Sequence, residues 1–172
     1  MKNLLLMNSI NAMSGSFLKS SHGEYEESRG YPTDEKVRED LAVLQKDESV
    51  RYKYFIGKEM MQHFGKTFDD FTLLHYDDDY ARKVGFERRV VQGALVSCII
   101  VKSIVRAFGD SAILRSHNLE FHKPIYPESE IVVELYVLSN IKNKLLTLKS
   151  RVYVGDTPHY EGTTKIKAFE DI

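Results

Sequence analysis

The longest apolar stretch of the chain, residues 91–108, has the pattern of a buried helix. Apolar side chains occur on every side of a helix drawn through it, rather than on a single stripe. No charge interrupts residues 90–101, a run too short to span a bilayer. Gly109 and Asp110 end the stretch. The pattern predicts a helix at the centre of the domain.

After Gly109 the apolar residues recur with a period of two, which is typical of β-strands. Turn residues separate four such segments: Pro124 with Pro127, then residues 140–143, then residues 155–158. The predicted strands are Ala112–Phe121, 130–141, 144–154 and 159–169. A long buried helix followed by an antiparallel meander that wraps it is an α+β arrangement.

Shorter elements precede the central helix. Residues 51–56 are rich in strand-forming aromatics and end at Gly57, and residues 58–66 place Met60, Met61 and Phe64 on one helical face. Residues 70–75 are predicted to be a loop. A helix over residues 78–83 follows, with Asp77, Asp78 or Asp79 as its cap and Gly85 closing it.

Residues 1–49 are predicted to be an extension, partly disordered or helical, and residues 50–172 the globular domain. The stretch over residues 24–30 offers no apolar face. Thr33 can cap a helix that runs to about Gln45. A lid, an arm that docks a partner and a disordered tail remain open for this extension.

Composition limits the classes of function. The chain has 172 residues, 42% of them hydrophobic and 28% charged, as in an ordinary globular protein. A net charge of −1 gives no electrostatic case for binding nucleic acid or an anionic membrane. The N-terminal run from Leu4 to Met7 is shorter than the core of a signal peptide. A single cysteine excludes an internal disulfide, so we expect a cytoplasmic protein.

Asp70 and His75 are the first candidates for chemistry. A carboxylate and an imidazole on one short segment can move a proton pair across a small substrate if both face one cleft. On its own this spacing also describes a capping aspartate and a surface histidine, and it occurs by chance in many chains. The surrounding residues therefore decide its meaning.

Those residues extend the pattern. After His75 come an acidic residue, Asp77, then the turn Phe86-Glu87-Arg88, and then Gly93 at the start of the apolar helix. This string resembles the MaoC-like dehydratase, or (R)-specific enoyl-CoA hydratase, family of hotdog-fold proteins. The resemblance covers about residues 55–131 and implies a long central helix wrapped by an antiparallel sheet.

The resemblance also implies a reaction. Asp70 and His75 would add water to a trans-2-enoyl thioester and give an (R)-3-hydroxyacyl thioester, or run the reverse. Gly93 would hold the thioester carbonyl at the helix N-terminus, because glycine leaves room for it. The substrate would be an acyl-CoA or an acyl-carrier-protein thioester. No metal or redox cofactor is expected, and the exposed edge of the family sheet implies a homodimer.

The chain departs from the family pattern at four positions. Thr72 and Leu73 occupy the places of a usual Asn-Pro pair, Gln92 replaces a usual histidine, and Val101 replaces a frequent serine. The family asparagine orients the catalytic water, and the Thr72 hydroxyl can take that role. Gln92 can still donate a hydrogen bond to substrate, but it cannot titrate.

Other candidates have simpler interpretations. Cys98 lies among apolar residues and is expected in the core. The aspartates at 77–79 suit helix capping better than a metal site. The histidines 63, 117, 122 and 159 lack metal-ligand spacing. Two rival functions remain: hydrolysis of a thioester on the same fold, and a non-catalytic acyl-thioester-binding or structural subunit.

Overall fold

The computed structural model describes residues 46–109, 112–142 and 145–168. Most of the predicted N-terminal extension, with its helix from Thr33 to Gln45, lies outside the described residues. The predicted boundary between residues 49 and 50 therefore stays a prediction.

One antiparallel sheet of five strands forms the scaffold of the described residues. The strands are β1 (Ser49–Ile56), β2 (Ala112–Phe121), β3 (Ser129–Lys142), β4 (Leu145–Val154) and β5 (Thr157–Ala168). Their order across the sheet is β1-β3-β4-β5-β2. The predicted meander is therefore correct for β3, β4 and β5, but β2 pairs with β5 at the far edge. The chain crosses from β2 to β3 through Pro124 and Pro127, which cannot continue a strand ladder.

Four helices accompany this sheet in the described part of the chain. They are α1 (Lys58–Phe68), α2 (Leu73–Tyr76), α3 (Asp78–Lys83) and α4 (Gly93–Phe108). Three of them match predicted helices, whereas α2 lies where a loop was expected, because a single turn leaves no periodicity to detect. None of the described helices is long and apolar enough to cross a membrane. The cap of α3 is Asp77, whose Oδ1 accepts hydrogen bonds from the backbone N–H groups of Asp79 and Tyr80.

The core lies between α4 and one face of the sheet. Side chains alternate between the two faces of a strand, and on β3 Ile131, Val133 and Leu135 are fully buried beneath the helix. The Tyr54 hydroxyl of β1 and the Ser103 hydroxyl of α4 share a buried hydrogen bond of 2.9 Å. The α+β architecture, a central helix on an antiparallel sheet, is therefore confirmed.

Helix α4 is not buried on every side. Ala94, Cys98, Lys102 and Val105 are exposed, and their spacings of four, four and three residues put them on one stripe of the helix. The prediction of burial all round is wrong for this stripe, and so is the prediction that Cys98 packs in the core. An apolar residue has the same sequence signal whether it faces the core or an uncovered surface.

The outer face of the sheet carries a row of alternating charges. The strand register places Arg51 beside Glu134, Glu134 beside Arg151, and Arg151 beside Glu161. Arg51 Nε donates to Glu134 at 2.8 Å, and Arg151 Nε donates to Glu161 at 2.8 Å. Oppositely charged neighbours across strands stabilise a sheet, so this row ties β1, β3, β4 and β5 together.

Candidate functional site

The segment that carries Asp70 and His75 begins where α1 ends. Asp69 adopts a left-handed backbone conformation with φ of 53°, which stops the helix. The backbone N–H groups of Asp69 and Asp70 both donate to the carbonyl of Gly65. Asp70 is therefore held at its backbone by the last turn of α1.

The Asp70 carboxylate is half-buried and partly engaged. Its Oδ1 accepts a hydrogen bond of 2.9 Å from the Thr72 hydroxyl. Its Oδ2 has no hydrogen-bond partner within the described residues. Thr72 thus fixes the orientation of the carboxylate and leaves one oxygen for a further ligand. The structure brings these two predicted site residues together.

His75 lies in α2, and a backbone carbonyl orients its ring. Nδ1 is 2.9 Å from the carbonyl oxygen of Val90. A carbonyl only accepts, so Nδ1 must carry the proton in this bond. The neutral ring therefore has its free lone pair on Nε2, which has no partner in the part of the chain described here. This is the form of histidine that can accept a proton at Nε2 and later return it.

Val90 contacts α2 with both of its backbone groups. While its carbonyl accepts from His75, its N–H donates to the carbonyl of Leu74 at 3.1 Å. The preceding residue is also anchored, because the Arg89 N–H donates to Asp78 Oδ1 at 2.9 Å. This N–H, together with the guanidinium of Arg89, holds the pKa of Asp78 below its usual value. The segment that orients His75 is therefore fixed to α3 as well.

Gly93 begins α4, three residues after Val90. Gln92 precedes the helix but makes no side-chain capping bond, so it leaves the first N–H groups of α4 to other acceptors. A methyl group at Gly93 would lie 2.9 Å from the ring of Phe121 on β2. The structure therefore places the far edge of an exposed ring against this glycine, beside its predicted role in binding the thioester oxygen.

Gln92 is buried, with 1% of its surface exposed. Its Nε2 donates to the Tyr76 hydroxyl at 2.9 Å, and this hydroxyl donates to the carbonyl of Met61 at 2.8 Å. Oε1 of Gln92 is buried with no partner among the described residues. The side chain thus bonds to neighbouring elements of its own chain, and the predicted contact of Gln92 with substrate stays a prediction.

The predicted residues fall into two groups. Asp70 and Thr72 form one, and His75 is joined through Val90 to the start of α4, where Gln92 and Gly93 lie. Sequence reasoning missed Val90, Tyr76 and Phe121. A contact made by a backbone carbonyl leaves no signal in a sequence. The position of Tyr76 directly after His75 was a signal that could have identified it.

Most of the remaining polar candidates have structural partners. Asp77 caps α3, Asp78 binds the backbone of Arg89, and Asp79 pairs with Arg82. His159 Nδ1 is 2.8 Å from the carbonyl of Pro124, and His117 Nδ1 is 2.8 Å from the Thr164 hydroxyl. Within the described ranges, no three His, Cys, Asp or Glu side chains are grouped to hold a metal ion.

A central helix packed on an antiparallel sheet, with an imidazole oriented by the segment that leads into that helix, is the arrangement of a hotdog domain. Comparisons with known proteins agree. Residues 33–159 match the family model described as a MaoC like domain. The chain belongs to the MaoC-like family.

Named relatives include two kinds of enzyme. The chain is 32% identical over 106 residues to the mitochondrial 3-hydroxyacyl-(acyl-carrier-protein) dehydratase of Arabidopsis thaliana, which covers 60% of this chain and 63% of that protein. It is 25% identical over 112 residues to the (R)-specific enoyl-CoA hydratase of Aeromonas caviae, covering 64% and 84%. The chain spans 63% of the length of this Arabidopsis thaliana dehydratase and 59% of the length of a second plant dehydratase, from Solanum lycopersicum.

Solved structures share the fold. The R-hydratase PhaJ1 from Pseudomonas aeruginosa superposes with a TM-score of 0.69 at 25% identity, covering 77% of this chain and 86% of that one. The ChsH1-ChsH2 complex from Mycobacterium tuberculosis gives a TM-score of 0.67 at 17% identity, covering 74% and 100%.

Proposed function

We propose that this chain is a lyase that interconverts a trans-2-enoyl thioester and a 3-hydroxyacyl thioester. The observation that carries the proposal is the geometry of His75. Its ring is held by the Val90 carbonyl, and the residue lies five positions after Asp70 in the sequence. Membership of the MaoC-like family supports it, as do relatives named as hydratases and dehydratases of such thioesters.

The proposed reaction divides two proton transfers between two side chains. In hydration, the Asp70 carboxylate takes a proton from water while the water oxygen bonds to C3 of the substrate. The imidazolium form of His75 gives its Nε2 proton to C2, and dehydration reverses both transfers. Each such group typically contributes about 10²–10⁴ to the rate.

The start of α4 would stabilise the charge that develops during the reaction. As the water oxygen bonds to C3, negative charge moves through C2 onto the thioester oxygen. The uncapped N–H groups at Gly93 and the dipole of a 16-residue helix favour an anion at this position. Thr72 would act through its hydrogen bond to Asp70, which holds the carboxylate in one orientation.

We also propose an acyl-CoA or acyl-carrier-protein thioester as substrate, no metal or redox cofactor, and a homodimer in the cytoplasm. Support for the homodimer comes from two uncovered apolar surfaces. One is the stripe of α4 where Ala94, Cys98 and Val105 are exposed beside Lys102, and the other is edge strand β2, where Ile113 and Leu114 are exposed. An exposed edge strand normally pairs or is covered.

A panel of trans-2-enoyl-CoA substrates of increasing chain length tests the function. Hydration removes the conjugated thioester, so its absorbance should fall with time, and a 3-hydroxyacyl-CoA should form. Release of free CoA thiol without loss of the double bond would instead indicate the rival thioesterase. Binding of the substrates with no turnover by the folded protein would support the non-catalytic role and overturn the proposal.

A further inference from the structure

A directed chain of hydrogen bonds lies next to His75. Gln92 Nε2 donates to the Tyr76 hydroxyl, and the hydroxyl donates to the Met61 carbonyl. The carbonyl can only accept, so the direction runs from amide to hydroxyl to carbonyl. The three residues come from the start of α4, the end of α2 and the middle of α1. These hydrogen bonds therefore join α1, α2 and α4 through Tyr76, the residue that follows His75.

The side-chain oxygen of Gln92 indicates which atoms of the amide contribute hydrogen bonds. Oε1 is buried without a partner among the described residues, which is an unfavourable state for an amide oxygen. An apolar side chain of similar shape would avoid the cost of burying an unpaired oxygen. The amide is thus useful here through its N–H groups, and the short bond from Nε2 goes to Tyr76.

The position of the Tyr76 hydroxyl also depends on Gly65. A Cβ at this glycine would lie 2.1 Å from the hydroxyl oxygen and 2.9 Å from the carbonyl oxygen of Asp70. The same residue accepts the N–H of Asp70 through its own carbonyl. The hydroxyl therefore packs against the turn that leads into Asp70.

We propose that Gln92 and Tyr76 are positioning residues for His75. They hold α2 so that Nδ1 of His75 stays bonded to the Val90 carbonyl and Nε2 stays free for substrate. This inference rests on the proposed hydration reaction, and it gives Gln92 an indirect role in place of contact with substrate. The tyrosine and the glutamine act as one unit, because the Tyr76 hydroxyl that donates to the Met61 carbonyl also accepts from Gln92 Nε2, which lies 3.5 Å from the same carbonyl.

Two near-isosteric variants test the unit. Tyr76→Phe removes only the hydroxyl, and Gln92→Met removes the amide. Each should lower kcat for enoyl-CoA hydration by about 10- to 10²-fold with KM near the wild-type value, because a misplaced group loses rate rather than affinity. The double variant should be no slower than the slower single variant. Tyr136→Phe is the matched control, because its hydroxyl bonds to Asp47, which precedes β1.

A measurement independent of turnover separates this inference from the proposed function. The ¹⁵N NMR shifts of the His75 ring report which nitrogen carries the proton. Neutral His75 should show a proton on Nδ1 in the wild type and in Tyr136→Phe, and a mixture of both tautomers in Tyr76→Phe and Gln92→Met. Absence of hydration by the wild type would refute the proposed function and leave this comparison valid.

Wild-type kcat together with an unchanged His75 tautomer in Tyr76→Phe would overturn the inference. So would losses that multiply in the double variant, since independent sites behave in this way. If Gln92→Met fails to fold, Tyr76→Phe decides alone, with its melting temperature confirming that it is folded.

Discussion

At the scale of single residues, one backbone carbonyl sets the form in which His75 can react. Val90 contributes no side-chain chemistry, yet its carbonyl holds the proton on Nδ1 and leaves Nε2 as the free nitrogen. The Asp70 carboxylate is oriented in a comparable way by the Thr72 hydroxyl. Each of the two groups proposed to transfer protons is therefore oriented by a neighbour that has no proposed proton transfer of its own.

Removal of either reacting group should nearly abolish hydration. Asp70→Asn keeps the shape of the side chain and removes the base, and His75→Ala removes its partner. Each should lower kcat by about 10²–10⁴ without unfolding the protein. The double variant should be hardly slower than the slower single variant, because the two act as one unit. Near wild-type hydration by folded Asp70→Asn protein would refute the catalytic assignment.

Position 93 can need a glycine for two reasons, the contact with Phe121 and the approach of the thioester oxygen. A pair of substitutions can separate them. Gly93→Ala places a methyl group against the far edge of the exposed Phe121 ring, which can move aside, so it should lower the free energy of unfolding by at most about 1 kcal/mol. Adding Phe121→Ala removes the ring and should restore most of that loss in urea denaturation. If the thioester oxygen also needs the glycine, the double variant stays slow in hydration although its stability is recovered.

The control for that experiment is Phe121→Ala alone. Phe121 is 57% exposed, so its truncation should change stability little compared with a core phenylalanine. A double variant whose stability loss equals the sum of the two single losses would contradict the packing explanation.

At the scale of elements, the row of charges across the sheet makes stability depend on pH. Burial raises the pKa of Glu134, but hydrogen bonds from Arg51 and Tyr153 and the charge of Arg151 outweigh it, so the pKa lies below its usual value. A lowered carboxyl pKa means that the folded state favours the ionised form. The resulting stability is present above the ordinary pKa of 4.5 and is lost as pH falls through the folded value.

Two glutamates of β3 give a matched test of this row. Glu134→Gln should lower the free energy of unfolding at pH 7 by about 1–3 kcal/mol, because it breaks charged hydrogen bonds at a buried position. Glu130→Gln should cost less than about 1 kcal/mol, because the pair with Lys53 is exposed. Urea denaturation across pH should show the Glu134→Gln deficit shrinking in acid. A deficit that stays constant with pH would contradict the assignment.

Sequence reasoning succeeded where a local pattern has a local cause. Alternation along β3 was visible because one face meets α4 and the other meets water. Asp77 was a foreseeable cap because it directly precedes a helix. The pairing of β2 with β5 was not visible, since it depends on how the chain crosses the sheet. The contact of Phe121 with Gly93 follows from that pairing and was equally hidden.

At the scale of the whole molecule, the described chain leaves apolar surface uncovered. Ala94, Cys98 and Val105 are exposed together with Lys102 on one stripe of α4, and Val105 is 42% exposed. On edge strand β2, Ile113 and Leu114 are 45% and 44% exposed. Exposed apolar residues on a helix and on an edge strand favour an interaction site, and we expect a second copy of the same chain to cover them.

Light scattering on the purified protein tests this assembly. The wild type should have twice the mass of the 19.9 kDa chain at micromolar concentration. Val105→Lys adds a second charge one turn from Lys102 on the proposed interface, and burying it there without a partner should shift the mass towards one chain. Gln62→Lys is the matched control, because it adds the same charge at an exposed position of α1 and should leave the mass unchanged.

A wild-type protein that is monomeric, or a Val105→Lys variant that keeps the doubled mass, would contradict an interface on this stripe of α4. Loss of hydration together with loss of the dimer in Val105→Lys would further indicate that the active site is complete only when two chains associate.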